Sequence, residues 1–213
     1  GLRWLLQRRG PATSPYPHAV GFFRSGEGTN RPDIQLMFGP FGFELTSEGV
    51  TPSKKPMVTL VVGLSYARSS GTLSLRSGDW RAPPRIALDM LSDPRDIADL
   101  TAASRFARDI MRQGAIASHV KGEIAPGDEV NTDDEWEDYL RRTTDPTYHP
   151  VGTCRMAPDT EHGVVDPRLR VHGADGLRVV DASVFPAHVS GNTNGAVLMV
   201  AERASEFILS DRG

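Results

Sequence analysis

Apolar and polar positions along this chain follow two rhythms. In the first part the rhythm is that of strands. Residues 19–23 (AVGFF) form a short apolar run, and residues 33–38 alternate polar and apolar side chains with the period of an extended chain. Residues 57–64 are rich in Val, Leu and Thr. Residues 71–77 (GTLSLRS) alternate strictly, which predicts a strand with one wet face. Turn formers crowd residues 11–17, the polar loop 25–31 (SGEGTNR) and the stretch 39–55. Strands spaced this closely, with no helix between them, favour an antiparallel sheet.

From residue 93 onward the period becomes helical. Asp93-Pro94 opens a segment that places Ile97, Leu100, Ala103, Ser104, Ala107, Ile110 and Met111 on one face. Pro94 falls in the first turn, where its missing N–H costs nothing. Thr132-Asp133-Asp134-Glu135 is a capping box, with Thr132 as the cap and Glu135 reaching back, and it starts a helix through Trp136, Tyr139 and Leu140. Residues 177–181 read as a short buried strand. Residues 194–209 read as a last helix that packs Met199, Val200, Arg203, Ala204, Phe207 and Ile208 on one face. Residues 1–10 read as an amphipathic helix stopped by Gly10-Pro11. No internal repeat is visible.

Composition narrows the classes open to such a chain. Among 213 residues, 24 Lys and Arg face 27 Asp and Glu, a net charge of −3 that argues against a broad nucleic-acid footprint. A single Cys excludes an intrachain disulfide framework and a multi-Cys zinc site, and it slightly favours a cytoplasmic location. Gly and Pro number 21 and 16 beside 7% aromatics, so many turns are expected. No apolar run is long enough to cross a bilayer. The chain opens on Gly1-Leu2-Arg3-Trp4-Leu5-Leu6, like the middle of a helix, and is expected to begin inside a longer protein.

Candidate chemistry concentrates in residues 147–200. His149 precedes Pro150, which holds its backbone away from the α region beside Gly152-Thr153. It is open to a catalytic or a structural reading. Asp181 ends an apolar run and could face a ligand crevice or cap a turn. Ser190-Gly191-Asn192-Thr193-Asn194-Gly195 leads into the last helix, whose start offers unpaired N–H groups and a positive dipole end. Asn194 is the natural N-cap there, which leaves Asn192 without a capping duty. A metal site from His149, Cys154, His162 and Asp166 has no familiar spacing. Cys154 lies an odd number of residues from His149, so on one extended strand the two would face apart. A small core Cys is the simpler reading. No G-x-S-x-G elbow is present.

Read in order, YHPVGTCRM (148–156), GVVDP (163–167), LRVVDAS (177–183) and SGNTN (190–194) resemble the carboxyl-terminal half of glucose–methanol–choline (GMC) oxidoreductases, most of all bacterial choline dehydrogenase-like alcohol dehydrogenases. RPDIQ (31–35), residues 68–77, LSDPRD (91–96) and EIAPGD (123–128) extend the likeness over nearly the whole chain. Two departures stand out. Nothing matches the G-x-G-x-x-G fingerprint for FAD; GEGTNR (26–31) has only its first two glycines. Residues 66–71 (YARSSG) also lack the order usual in that loop.

This resemblance implies an α+β fold. An antiparallel-sheet substrate-binding domain with flanking helices (1–162) would be followed by a strand–helix segment (163–213) of a Rossmann-like FAD-binding domain whose amino-terminal part is absent. It implies FAD-dependent oxidation of a small alcohol to an aldehyde or ketone, with oxygen, a quinone or another carrier as electron acceptor. The missing FAD-binding portion would be a necessary partner. His149 matches the family's active-site His, and Asn192 its second active-site position. Asp181 and Ala182 match a flavin-contacting turn. Asn194, with the backbone around Thr193, matches the helix start at the flavin's pyrimidine edge. A non-catalytic fragment or binding module, or a hydroxynitrile lyase of the same family, are the alternatives.

Overall fold

A computed structural model describes the chain apart from residues 1, 10–12, 14–15, 27–28, 47–48 and 212–213. It divides into two compact units, residues 1–64 with 99–133, and residues 65–98 with 134–213.

In the first unit, α1 (Leu2–Gln7) leads to β1 (Ala19–Phe23) and β2 (Ile34–Gly39). A hairpin of β3 (Phe43–Thr46) and β4 (Gly49–Pro52) precedes β5 (Thr59–Leu64). The main sheet has the order β1-β2-β5 and is antiparallel, as the alternation predicts. Asp33 sets the register. Its carboxylate accepts hydrogen bonds from the Ser25 backbone N–H (2.7 Å) and hydroxyl (2.6 Å), closing the β1–β2 loop so that Phe23 pairs with Ile34. Sitting between two partners, β2 buries Ile34 and Leu36, while Val20 and Phe22 on the edge strand stay exposed. The β3–β4 hairpin occupies the stretch expected to be turns. Its Gly and Pro content hides it from propensity, and Pro52 takes the strand end, where Pro is tolerated.

Helix α1 leaves Trp4, Leu5 and Leu6 exposed, so the face expected to be packed is not; its Gly10-Pro11 stop lies outside the described residues. Helix α2 (Pro94–Met111) spans the predicted segment, with Leu100, Ala103 and Ala107 buried at helical spacing. Phe106 meets Phe23 of β1, ring centroids 4.7 Å apart. Arg108 donates to Val130 O (2.7 Å), Gly127 O (3.1 Å) and the Glu123 carboxylate (2.9 Å), tying the loop before α4 to this helix. A single turn, α3 (Gly114–Ala117), follows α2.

In the second unit, β6 (Thr72–Ser74) pairs with β7 (Arg85–Ala87). Gly71 admits no side chain there, since a Cβ would fall 2.0 Å from Ala87 O. The wet-one-face expectation fails: every residue of β6 is exposed, because a two-stranded ribbon has no further layer to cover either face. The first turn of α2 belongs to this unit and buries Asp96 completely. Helix α4 (Asp133–Thr143) starts one residue after Thr132, as the capping box predicts, and buries Trp136 and Leu140.

Around the last helix, α5 (Asn194–Ser210), lies the unit's apolar centre: Val165, Leu169, Val184, Phe185, Val200 and Ala204. Ala196 and Val197 pack on it while Met199 is exposed, so the buried face is rotated from the expected one. Residues 177–181 are not a buried strand. They make one antiparallel bridge, Arg170 to Arg178, and expose Leu177 and Val180, because extended chain without a neighbour on both sides keeps its wet face. Gly163 lies inside this unit. The Met156–Val165 bridge and the Val164 N–H bond to Arg155 O (2.8 Å) link the residues on either side of it.

Candidate active site

His149 is presented by the loop after α4. Tyr148 before it has φ +60°, and Gly152 beyond it has φ +87°, two left-handed turns that project the intervening residues. Downstream, the loop is anchored by backbone bonds. Cys154 N–H donates to Ser183 O (3.0 Å) and Met156 N–H to Val184 O (2.8 Å). Both acceptors lie on a 3₁₀ turn, Ala182–Val184, whose N-cap is Asp181. The Asp181 carboxylate accepts from Ser183 N–H at 2.7 Å, and Ala182 packs on the apolar centre. Gly163 permits the tight return of the chain, since a Cβ there would lie 2.6 Å from Ala157 Cβ and Arg155 O.

The start of α5 meets this loop. Nδ1 of His149 lies 3.0 Å from Oγ1 of Thr193, and Nε2 lies 2.8 Å from Nδ2 of Asn192. Residues 43 and 44 positions apart are thereby brought to one imidazole. The helix cap differs from expectation. Thr193, not Asn194, is the N-cap, and Asn194 is the first helical residue. Thr193 makes no side-chain cap bond: its backbone is already helical (φ −75°, ψ −18°), and its hydroxyl faces the His149 ring. The Thr193 side chain therefore leaves the positive end of α5 uncovered, and Asn194 and Gly195 are exposed beside it.

His188 lies near this group on an exposed stretch. The chain around its ring disfavours the charged form, and the charge of His149 adds to that, so its pKa falls below the ordinary histidine value. Other candidates lie apart from the His149–Asn192–Thr193 cluster in their bonding. Cys154 is half-buried, the His162 ring bonds Asp159 (2.8 Å), and Asp166 accepts from Arg168 N–H (2.8 Å) and the Arg170 side chain (2.7 Å). Sequence reasoning missed the Thr193 hydroxyl and the His188 charge coupling. No local signal marks either, because both depend on which loop the start of α5 meets.

The second unit of this α+β chain thus holds an imidazole between a carboxamide and a hydroxyl at the start of a helix, the group types that general acid–base chemistry draws on. The family model described as GMC oxidoreductase matches residues 67–201, more than half of the sequence. This chain belongs to the GMC oxidoreductase family. It is 39% identical over 210 residues to an oxygen-dependent choline dehydrogenase of Rhizobium johnstonii, covering 98% of this chain and 38% of that protein. It is 41% identical over 198 residues to the choline oxidase of Arthrobacter globiformis, covering 91% of this chain and 36% of the oxidase. A crystal structure of formate oxidase superimposes with a TM-score of 0.86 at 27% identity, over 99% of this chain and 41% of the other. The chain thus spans about two fifths of the length of these relatives.

Proposed function

We propose that this chain forms the substrate-binding and carboxyl-terminal part of an FAD-dependent oxidoreductase that converts a small alcohol to an aldehyde or ketone. In this reading, residues 1–162 serve the substrate side and residues 163–213 belong to the flavin-binding domain. The rest of that domain corresponds to the part of the relatives outside this chain's span. The observation that carries the reading is the 2.8 Å approach of Asn192 to the His149 imidazole.

The residues present suit the ring end of a flavin. The start of α5 offers first-turn N–H groups that the Thr193 side chain does not cap, at a positive dipole end, and a Cβ at Gly195 would meet nothing within 4 Å. Asn194 and the backbone around Thr193 would take the ring's acceptor edge, and the Asp181-Ala182 turn would line it. Bound FAD supplies the acceptor for the hydride that leaves the carbinol carbon. Oxidation also releases the hydroxyl proton, and the chain's own side chains handle it. His149 accepts that proton on an unprotonated ring nitrogen, the usual role of a histidine general base. Asn192 donates from its amide and orients the substrate oxygen without competing for the proton.

Joining the chain to the amino-terminal portion of the Rhizobium relative tests the proposal. The joined protein is expected to be yellow and to lose its flavin absorbance when an alcohol, choline first, is added without oxygen. Replacing His149→Ala should lower turnover by about 10² to 10⁴ while the protein stays yellow. A yellow protein with unchanged turnover would remove His149 from the reaction. One that no alcohol bleaches would end the oxidoreductase reading. Oxygen uptake, compared with quinone reduction, identifies the acceptor.

A further inference from the structure

We propose that Thr193 is a positioning residue that holds His149 in its Nδ1–H tautomer, leaving Nε2 unprotonated on the side of Asn192; this rests on the function proposed above. The assignment follows from donors and acceptors. The Asn192 amide nitrogen facing Nε2 can only donate. Nε2 must therefore carry a lone pair, and in the neutral ring the proton then resides on Nδ1. At 3.0 Å from Nδ1, the Thr193 oxygen is the acceptor for that proton. Free histidine prefers the opposite tautomer, with the proton on Nε2, which would leave no base on the side of Asn192.

Position 193 makes this a distinct role. At a helix N-cap, a Thr hydroxyl ordinarily accepts a backbone N–H of the first turn. Here it makes no such bond: the residue is buried and its backbone is already helical (φ −75°, ψ −18°), unlike the extended backbone of an ordinary capping residue. Its hydroxyl is aimed across to the His149 loop. Removing it therefore takes away the imidazole's partner without removing a helix cap. The imidazole is also held at both nitrogens, so the ring cannot flip without breaking two contacts.

Two-bond ¹H–¹⁵N correlation spectra of the chain itself, labelled at histidine nitrogen and recorded above pH 8, read the tautomer directly. His149 is assigned by the signal lost in His149→Gln. The native chain is expected to show a pyrrole-type Nδ1 and a pyridine-type Nε2. In Thr193→Val the pattern should move toward Nε2–H, and Thr193→Ser, which keeps the hydroxyl, should restore the native pattern. A native spectrum with the proton on Nε2 overturns the proposal, since it would require Asn192 to present its oxygen and Thr193 to donate. An unchanged spectrum in a folded Thr193→Val chain overturns it as well. Should that variant not fold, the native and Thr193→Ser spectra still decide the tautomer. These spectra need no flavin, so their outcome is separate from alcohol oxidation. A joined enzyme that oxidises alcohols with Nε2–H in place sinks this inference alone. The Nδ1–H form in a chain whose joined enzyme is inert sinks the functional reading alone.

Discussion

At the scale of single residues, the chain separates groups that build the site from groups that charge it. His149 is held by geometry, whereas His188 is set by its electrostatic surroundings. Partial desolvation of the exposed His188 ring by the chain beside it, and the His149 charge, lower the His188 pKa, so the folded chain binds this proton less readily than the unfolded chain. The unfolded state then holds more protons below about pH 6.5, and stability must fall as the pH drops through that region. Urea unfolding midpoints measured from pH 8 downward should decline on the acid side, and His188→Gln should flatten the decline there. An identical acid slope in the variant would assign the effect to other groups. Thr193 belongs to the same scale, and its capping position was legible in the sequence only as part of a helix start. Which partner its hydroxyl chose was not, because a hydroxyl bonds whatever acceptor or donor tertiary contact brings near.

Among elements, the first turn of α2 shows how a polar side chain anchors a helix. Asp96 is fully buried and accepts from Ser69 Oγ (2.6 Å), Ser69 N–H (2.8 Å) and Arg68 N–H (3.0 Å), with the Arg68 guanidinium at 3.2 Å. Burial opposes its ionisation, yet the bonds from Ser69 and Arg68 outweigh that and hold the carboxyl below the ordinary aspartate range. Asp96→Asn keeps the shape but turns an NH₂ toward donors, and should cost about 3 kcal/mol in chemical denaturation. A loss below about 1 kcal/mol would mean that the loop carrying Arg68 and Ser69 rearranges freely. The neighbouring Asp93 has its pKa lowered to about 2, chiefly by the hydrogen bond from the Arg95 side chain, and serves the exposed end of the same turn. Elements with strong local period or caps, such as β1, α2 and α4, could be read from the chain alone. The β3–β4 hairpin could not, because its strands are defined by pairing with each other and carry turn-forming residues.

Over the whole molecule, the apolar centre around α5 positions the site as much as any polar bond does. Phe185 and Val184 lie in that centre, and the loop of His149 hangs from the Val184 carbonyl. Phe185→Ala should destabilise the chain by about 3 to 5 kcal/mol and, in the joined enzyme, lower turnover even where the protein remains folded. Full turnover in a folded variant would show that the site is held by its polar contacts alone. The sequence by itself determined the sheet's antiparallel strands and the helix boundaries set by Pro94 and Thr132, because these depend on neighbours a few positions away. Only the tertiary structure decided that α5 turns its start toward the His149 loop, that Thr193 serves the imidazole rather than the helix, and that residues 177–181 keep a wet face. Those outcomes rest on contacts between segments tens of residues apart, where no local period carries the information.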